Sequence, residues 1–217
     1  MQVRFRSPEE IEEEAKHLLA SYTATKGWDS TPPVPIEKLI RFLGLSQEVV
    51  DLYSDLGVVD DGRGDLLGAI TFDSRTIKVH SGIDPEEYPW REGRFNFTLA
   101  HETGHWVLHR DEHAALANQR GLFDDFPAAP LISKRGDRAL PVEIQANRFA
   151  ACLLLPRDLV TVACRGLIAP SAAITPAVKI RVTRAIAKLF CTSIEATGYR
   201  LDALGVFGAK RQASLDM

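Results

Sequence analysis

The stretch Phe95-Asn-Phe-Thr-Leu-Ala-His-Glu-Thr-Gly-His-Trp-Val-Leu-His109 places two histidines four positions apart among apolar residues. On an α-helix, residues four apart lie on one face, separated by about one turn of rise. The imidazoles of His101 and His105 would then reach a single Zn²⁺ at the usual Zn–N distance of about 2.0–2.1 Å. Glu102 would point into the same cleft, where its carboxylate can take a proton from the attacking water. The pattern predicts metal-assisted hydrolysis, most often of a peptide bond.

A plain helix whose histidines face water or cap their neighbours is the alternative interpretation of this stretch. The apolar residues on both sides of the pattern predict that the helix is buried on at least one side. Two buried imidazoles without a partner would be energetically costly. A metal-ligand role is therefore favoured.

A zinc site needs a third protein ligand, and two nearby candidates are weak. The extended form of the motif requires Gly and His seven and ten positions after the first histidine, where this chain has Leu108 and Asp111. His109 lies too far along a straight helix to share a metal with His101. We interpret His109 and His113 as a polar stripe at the end of the helix, near the negative pole of its dipole.

A better candidate lies in Pro141-Val-Glu-Ile-Gln-Ala-Asn-Arg-Phe-Ala-Ala-Cys-Leu-Leu-Leu-Pro156. Pro141 suits the first turn of a helix, and Pro156 ends it. Glu143 and Asn147 are one turn apart along an edge of its apolar face. Glu143 could complete a His₂Glu site, and Asn147 could orient an imidazole. Taken alone, Glu143 is equally explained as a first-turn acid that stabilises the helix dipole.

The two motifs together resemble the ImmA/IrrE family of metallopeptidases. The resemblance is carried by residues 93–105, by Glu143-x-x-Ala-Asn-x-Phe-Ala-Ala151 and by Leu154-Leu-Pro156, and it covers roughly residues 9–160. It implies a zincin-like fold, zinc bound by His101, His105 and Glu143, and Glu102 as the general base. Gln145 departs from the pattern, because many relatives carry a second acid there, so Glu143 holds the third position alone.

Composition and periodicity predict a protein with an α+β fold, and we expect it to be cytoplasmic. The 217 residues carry a formal net charge of −3, which argues against a broadly basic nucleic-acid surface. The three cysteines have no disulfide or metal-pair spacing, and no apolar signal region or membrane span is evident. We expect a helix over 8–25, strands over 48–53 and 66–80 that form a small antiparallel sheet, and a long loop over 114–140 that could cover the cleft.

The C-terminal part predicts a helical extension with the outline of a helix-turn-helix. Residues 182–190 and 194–204 are helical in pattern, and Ser193 is a plausible N-cap of the second helix. Arg200 is the only basic side chain on that second helix, so DNA contact is expected to be weak, and a structural or partner-docking helical cap is favoured. We therefore predict a metallopeptidase domain over 1–165 and a helical extension over 166–217.

Two classes of function follow from these motifs. The first is a zinc endopeptidase, for which the resemblance suggests a protein substrate of the repressor type, from a mobile element or a stress operon. The second is a non-catalytic regulator that keeps the zincin scaffold and binds DNA or a protein. The intact set of His101, Glu102, His105 and Glu143 favours the enzyme. Neither the oligomeric state nor the cleavage site follows from the sequence.

Overall fold

The computed structural model describes residues 3–59, 65–120, 131–134, 140–168 and 173–208, with no side chains described for 117–120 and 131–134. Within these ranges the chain is a mostly helical α+β protein. The helices are α1 (Pro8–Lys26), α2 (Ile36–Phe42), α3 (Leu52–Leu56), α4 (Glu92–Arg120), α5 (Pro141–Leu154), α6 (Arg157–Leu167), α7 (Pro176–Leu189) and α8 (Ile194–Ala203). The strands are β1 (Ser46–Val50), β2 (Leu66–Thr71), β3 (Thr76–His80) and β4 (Leu131–Lys134).

The sheet is mixed, so the expectation of an antiparallel sheet was wrong. Its order is β1-β3-β2-β4, in which β1 runs parallel to β3 and the other two pairs are antiparallel. The hairpin predicted within 66–80 is confirmed, since β2 and β3 pair across it. The two neighbours of β2 are β3 and β4, so β1 lies on the other side of β3. There it pairs with β3 in parallel. Leu52 and Tyr53, which we expected in a strand, begin α3 instead.

Helix α4 is longer than the pattern suggested, and it carries the histidine motif near its middle. It continues to Arg120, and residues 131–134 form the edge strand β4, so the predicted loop over 114–140 was wrong for these two segments. Pairing with β2 orders the second segment, an interaction between distant residues that local periodicity does not reveal. The remaining parts of that loop, 121–130 and 135–139, lie outside the described residues.

The main hydrophobic core lies where α4 and α5 pack against the sheet and α1. Helix α1 begins with a capping box, in which the Ser7 hydroxyl accepts from the Glu10 backbone N–H and the Glu10 carboxylate accepts from the Ser7 backbone N–H. Leu99 of α4 and Phe149 of α5 are fully buried in this core, together with Ile70 and Ile77 of the sheet. The histidine motif and Glu143 are therefore carried by the two innermost helices.

A second hydrophobic cluster joins α6, α7 and α8, and Val160, Ile186 and Leu201 are among its buried members. As predicted, Ser193 caps α8 by accepting a hydrogen bond from the Ala196 backbone N–H at 3.0 Å. The division into units at residue 165 stays a prediction. In the described part of the chain, no helix combines the length and apolar character that a bilayer crossing needs.

Candidate metal centre

Close packing of α4 against α5 brings the histidine motif and Glu143 together. Gly104, within the motif, faces Ala146 across the interface between these helices. A methyl group built on Gly104 would lie 3.2 Å from both the Cα and the carbonyl oxygen of Ala146, and 3.2 Å from the ring of Phe149. A glycine opposite an alanine thus allows the two backbones to approach closely. Glu143 lies one turn before Ala146, at the level of the two histidines.

The three side chains predicted as ligands form a compact, buried triangle. His101 Nε2 lies 2.9 Å from His105 Nε2 and 3.1 Å from Glu143 Oε2, and His105 Nε2 lies 3.4 Å from Glu143 Oε1. Their exposed fractions are 6%, 0% and 5%, respectively. Ligands about 2.0–2.1 Å from a tetrahedral zinc are about 3.3 Å apart, so the triangle has the dimensions of a zinc site.

A hydrogen bond behind His101 directs its other ring nitrogen at the centre of the triangle. His101 Nδ1 lies 3.0 Å from Asn147 Oδ1, so an Nδ1–H donated to this oxygen leaves the Nε2 lone pair unprotonated. The Nε2 atoms of His101 and His105 lie 2.9 Å apart beside the Glu143 carboxylate, and this arrangement needs a proton or a metal cation between the nitrogens. The donor set therefore fits a divalent metal, and Asn147 takes the orienting position that its spacing predicted.

The pKa values of these groups reflect their burial and their mutual contacts. Burial lowers the pKa of His105 to about 4, more than its hydrogen bond with Glu143 raises it. Burial also acts to lower the pKa of His101, but the hydrogen bond with Glu143 and the charges of Glu102 and Glu143 raise it overall. Burial tends to raise the pKa of Glu143, yet the two histidines hold it at about 2. Glu143 is therefore an ionised carboxylate, as a metal ligand must be.

His109 has a different role from the one its sequence position suggested. We expected a polar stripe at the helix end, but His109 is 0% exposed, and its Nδ1 lies 3.2 Å from Nδ1 of His105. Its Nε2 contacts Oε1 of Gln145, itself buried, at 3.1 Å. The spacing of four residues from His105 was the available signal for this contact. His113 stacks on Phe72, with ring centroids 4.1 Å apart.

Glu102 is fully buried on α4 and faces strand β2. A methyl group on Gly68 would lie 2.7 Å from Glu102 Oε1 and 2.6 Å from Thr98 Cγ2. Only a glycine at this point of β2 lets the strand pass so close to the carboxylate. The side chain of Glu102 also lines the cleft that contains His101 and Glu143, which is where a general base must lie.

The cleft has a volume of about 1060 Å³ and extends from the triangle of ligands to the C-terminal helices. Its lining includes Leu67 and Gly68 of β2, and Ala196, Tyr199 and Ala203 of α8. Local sequence patterns do not indicate that α8 lines this cleft, because the contacts that hold it there join distant parts of the chain.

Two groups of contacts fix α8 in this position. Arg200 is 6% exposed, and it donates hydrogen bonds to the carbonyl oxygen of Leu155 at 3.0 Å and to Glu12 at 2.7 Å. In the turn before α8, the carbonyl oxygen of Cys191 accepts a hydrogen bond from Asn96 Nδ2 at 3.0 Å. The only basic side chain of α8 is thus directed into the protein. DNA contact by the C-terminal helices stays a prediction, and it cannot use Arg200 in this position.

A family of known proteins matches more than half of this chain. No curated protein sequence matches the chain. A solved structure of a Mycobacterium tuberculosis transcriptional regulator is 17% identical, with a TM-score of 0.48; the match covers 88% of this chain but only 55% of that one. Residues 90–202, just over half of the chain, match the IrrE N-terminal-like domain of peptidase family M78. The resemblance inferred from the two motifs is thereby confirmed, and the chain belongs to the M78 peptidase family of IrrE N-terminal-like domains.

Proposed function

We propose that this chain is a zinc-dependent endopeptidase with a zincin-like catalytic domain. The observation that carries the proposal is the buried triangle of His101, His105 and Glu143, with Glu102 lining the same cleft. We further propose a transcriptional regulator, such as the repressor of a mobile element or a stress operon, as its protein substrate. This substrate class is inferred from the family resemblance.

The protein groups have separate tasks in the proposed reaction. His101, His105 and Glu143 would hold the zinc, which supplies Lewis acidity and a lowered pKa for the attacking water. Glu102 takes the proton from that water and then delivers it to the departing amine nitrogen, so that the peptide C–N bond breaks and the carboxylate is regenerated. The carboxylate is buried, and low polarity around it strengthens its interaction with the proton being transferred.

The dimensions of the cleft support a polypeptide substrate. It continues well beyond the ligands, and its border on α8 combines the exposed ring of Tyr199 with the small side chains of Ala196 and Ala203. A segment several residues long would contact the metal site and α8 at the same time. Because such a wall lies away from the reacting bond, it would contribute mainly to substrate binding.

The decisive experiment separates metal binding from proton transfer. Wild type, Glu102→Gln and Glu143→Ala are purified identically, their zinc content is measured, and each is incubated with a proteome-derived peptide library that is then searched for new termini. We expect about one zinc per chain in wild type and Glu102→Gln and a clear loss in Glu143→Ala. The rate of peptide cleavage should fall by about 10²–10⁴-fold in Glu102→Gln.

Two results would contradict the proposal. If wild type binds no zinc even after loading, the chain is not a zinc peptidase. If Glu102→Gln, with its metal bound, retains the effect that the wild-type protein has in cells, the chain acts by binding. In that case the alternative, a non-catalytic regulator of DNA or protein on the same scaffold, takes its place.

A further inference from the structure

A chain of buried polar contacts connects the ligand His105 with the segment that precedes α1. From His105 it passes through His109 to Gln145, as described above, and the Gln145 side chain then contacts two residues of that segment. Gln145 Nε2 lies 2.9 Å from the backbone carbonyl oxygen of Arg4, and Gln145 Oε1 lies 3.4 Å from Arg6 Nη1. The side chain of Arg6 also forms an ion pair with Glu112 of α4 at 3.0 Å.

The contacts at Gln145 determine which way its amide group points. A guanidinium group can only donate hydrogen bonds, so the amide atom that faces Arg6 must be the oxygen. A carbonyl oxygen can only accept them, so the atom that faces Arg4 must be the nitrogen. Both contacts require the same orientation. Gln145 therefore presents an acceptor, and not a donor, to His109.

This orientation determines the proton positions along the rest of the chain of contacts. Because Gln145 Oε1 accepts, His109 must carry its proton on Nε2, and in the neutral ring Nδ1 is then an acceptor. His105 must in turn donate from Nδ1, which leaves the lone pair of its Nε2 directed at Glu143 and His101. The opposite tautomer of His105 would place a proton where the metal has to bind.

Resting on the proposed zinc site, we propose that His109 and Gln145 are positioning residues that hold His105 in its metal-binding tautomer. The segment Arg4–Arg6 is part of this device, because it fixes the amide of Gln145. Asn147 contacts Nδ1 of His101 directly, whereas Gln145 reaches Nδ1 of His105 through His109. Partners of this kind typically change metal affinity by about 10–100-fold when they are removed.

The test compares zinc affinity among variants, measured by competition with a chromophoric chelator. Gln145→Met keeps the volume but removes the acceptor, and His109→Leu removes the link to His105. Gln145→Glu preserves the acceptor toward His109 and the contact with Arg6, and it loses only the donor to the carbonyl oxygen of Arg4. We expect zinc affinity to fall by about 10–100-fold in the first two variants and to stay close to wild type in Gln145→Glu. With cobalt in place of zinc, the visible absorption bands should change in the same two variants.

A matched control accounts for general destabilisation. Thr197 is a fully buried polar residue of α8 that hydrogen-bonds with Thr192 and lies away from the metal site. Thr197→Val should lower the melting temperature of the zinc-free protein without changing zinc affinity. If His109→Leu does not fold without zinc, Gln145→Met and Gln145→Glu still decide the question.

The inference is overturned if Gln145→Met binds zinc as tightly as wild type and His109→Leu, where it folds, does the same. It is also overturned if Gln145→Glu is as weak as Gln145→Met, because the acceptor would then have no part in binding. Failure of the proposed function looks different: wild type itself would bind no zinc, or would bind it and cleave nothing.

Discussion

Replacing Gly104 with alanine is expected to push α4 and α5 apart and to weaken the candidate metal site. The new methyl group would lie 3.2 Å from three atoms, two of which belong to the backbone of Ala146 and cannot rotate away. Carbon atoms in contact prefer a separation of about 3.5–4.0 Å, so the helices must separate locally by a few tenths of an ångström. Glu143 moves with α5, and its carboxylate is drawn away from His101 and His105.

Two opposing terms determine the stability of this variant. Replacing a glycine inside a helix gains about 1 kcal/mol from backbone propensity. Overpacking a tight interface costs about 1–3 kcal/mol. The difference is a loss of about 0–2 kcal/mol in the free energy of unfolding, which lowers the melting temperature by up to about 4–8 °C in a protein of this size.

Gly198 provides the matched control, because it lies inside α8 with no side chain pressing on it. The nearest atom to a methyl group there is Thr183 Cγ2 at 3.9 Å, an ordinary contact. Gly198→Ala should therefore stabilise the protein by about 0.5–1 kcal/mol through helix propensity alone.

Thermal unfolding in the presence of a chelator measures the packing term, and chelator competition measures zinc affinity. Gly104→Ala should melt at a lower temperature than Gly198→Ala and bind zinc more weakly than wild type. If Gly104→Ala instead melts as high as Gly198→Ala and binds zinc like wild type, the close approach of α4 and α5 does not set the geometry of the site.

Three further predictions concern α8, pH and the cleft. Arg200→Leu should lower the free energy of unfolding by roughly 1–3 kcal/mol in urea titrations at unchanged zinc content, since the carbonyl oxygen of Leu155 loses its buried donor whereas Glu12 keeps the guanidinium group of Arg157; unchanged stability would contradict this. Zinc affinity should fall by about one decade per pH unit below the raised pKa of His101, because a proton competes with the metal for Nε2 of His101. Glu143 should not add to this dependence, because its carboxylate stays ionised down to about pH 2. A zinc affinity that does not change between about pH 7 and 5 would refute this prediction. Tyr199→Ser should raise KM for peptide cleavage with little change in kcat, and a loss confined to kcat would place Tyr199 at the reacting bond instead.

The parts of the site that follow from local sequence were predictable. His101, Glu102 and His105 have fixed relative positions once their segment is helical, and the spacing of Glu143 and Asn147 places both on one edge of α5. The helix α1 was equally clear, since its apolar stripe and its cap are both local. In each case, the deciding interactions join residues within a few positions of one another.

The other parts depend on contacts between distant residues. Whether His109 is exposed or buried depends on Gln145 and on Arg6, and Arg6 lies 139 positions away from Gln145. Arg200 looks like an exposed cation in the sequence, but its partner Glu12 is 188 positions away. The direction of β1 depends on which side of the hairpin it joins. Propensity and periodicity carry no information about such pairings.

The position of α8 across the cleft has a consequence for how members of such a family could diverge. The three candidate ligands and the proposed general base are all on α4 and α5, whereas one wall of the cleft is on α8, in a separate hydrophobic cluster. Substitutions on the exposed face of α8 can therefore change which polypeptide fits, while the residues that hold the metal stay unaltered. The candidate metal site and the shape of the cleft are thus free to evolve at different rates.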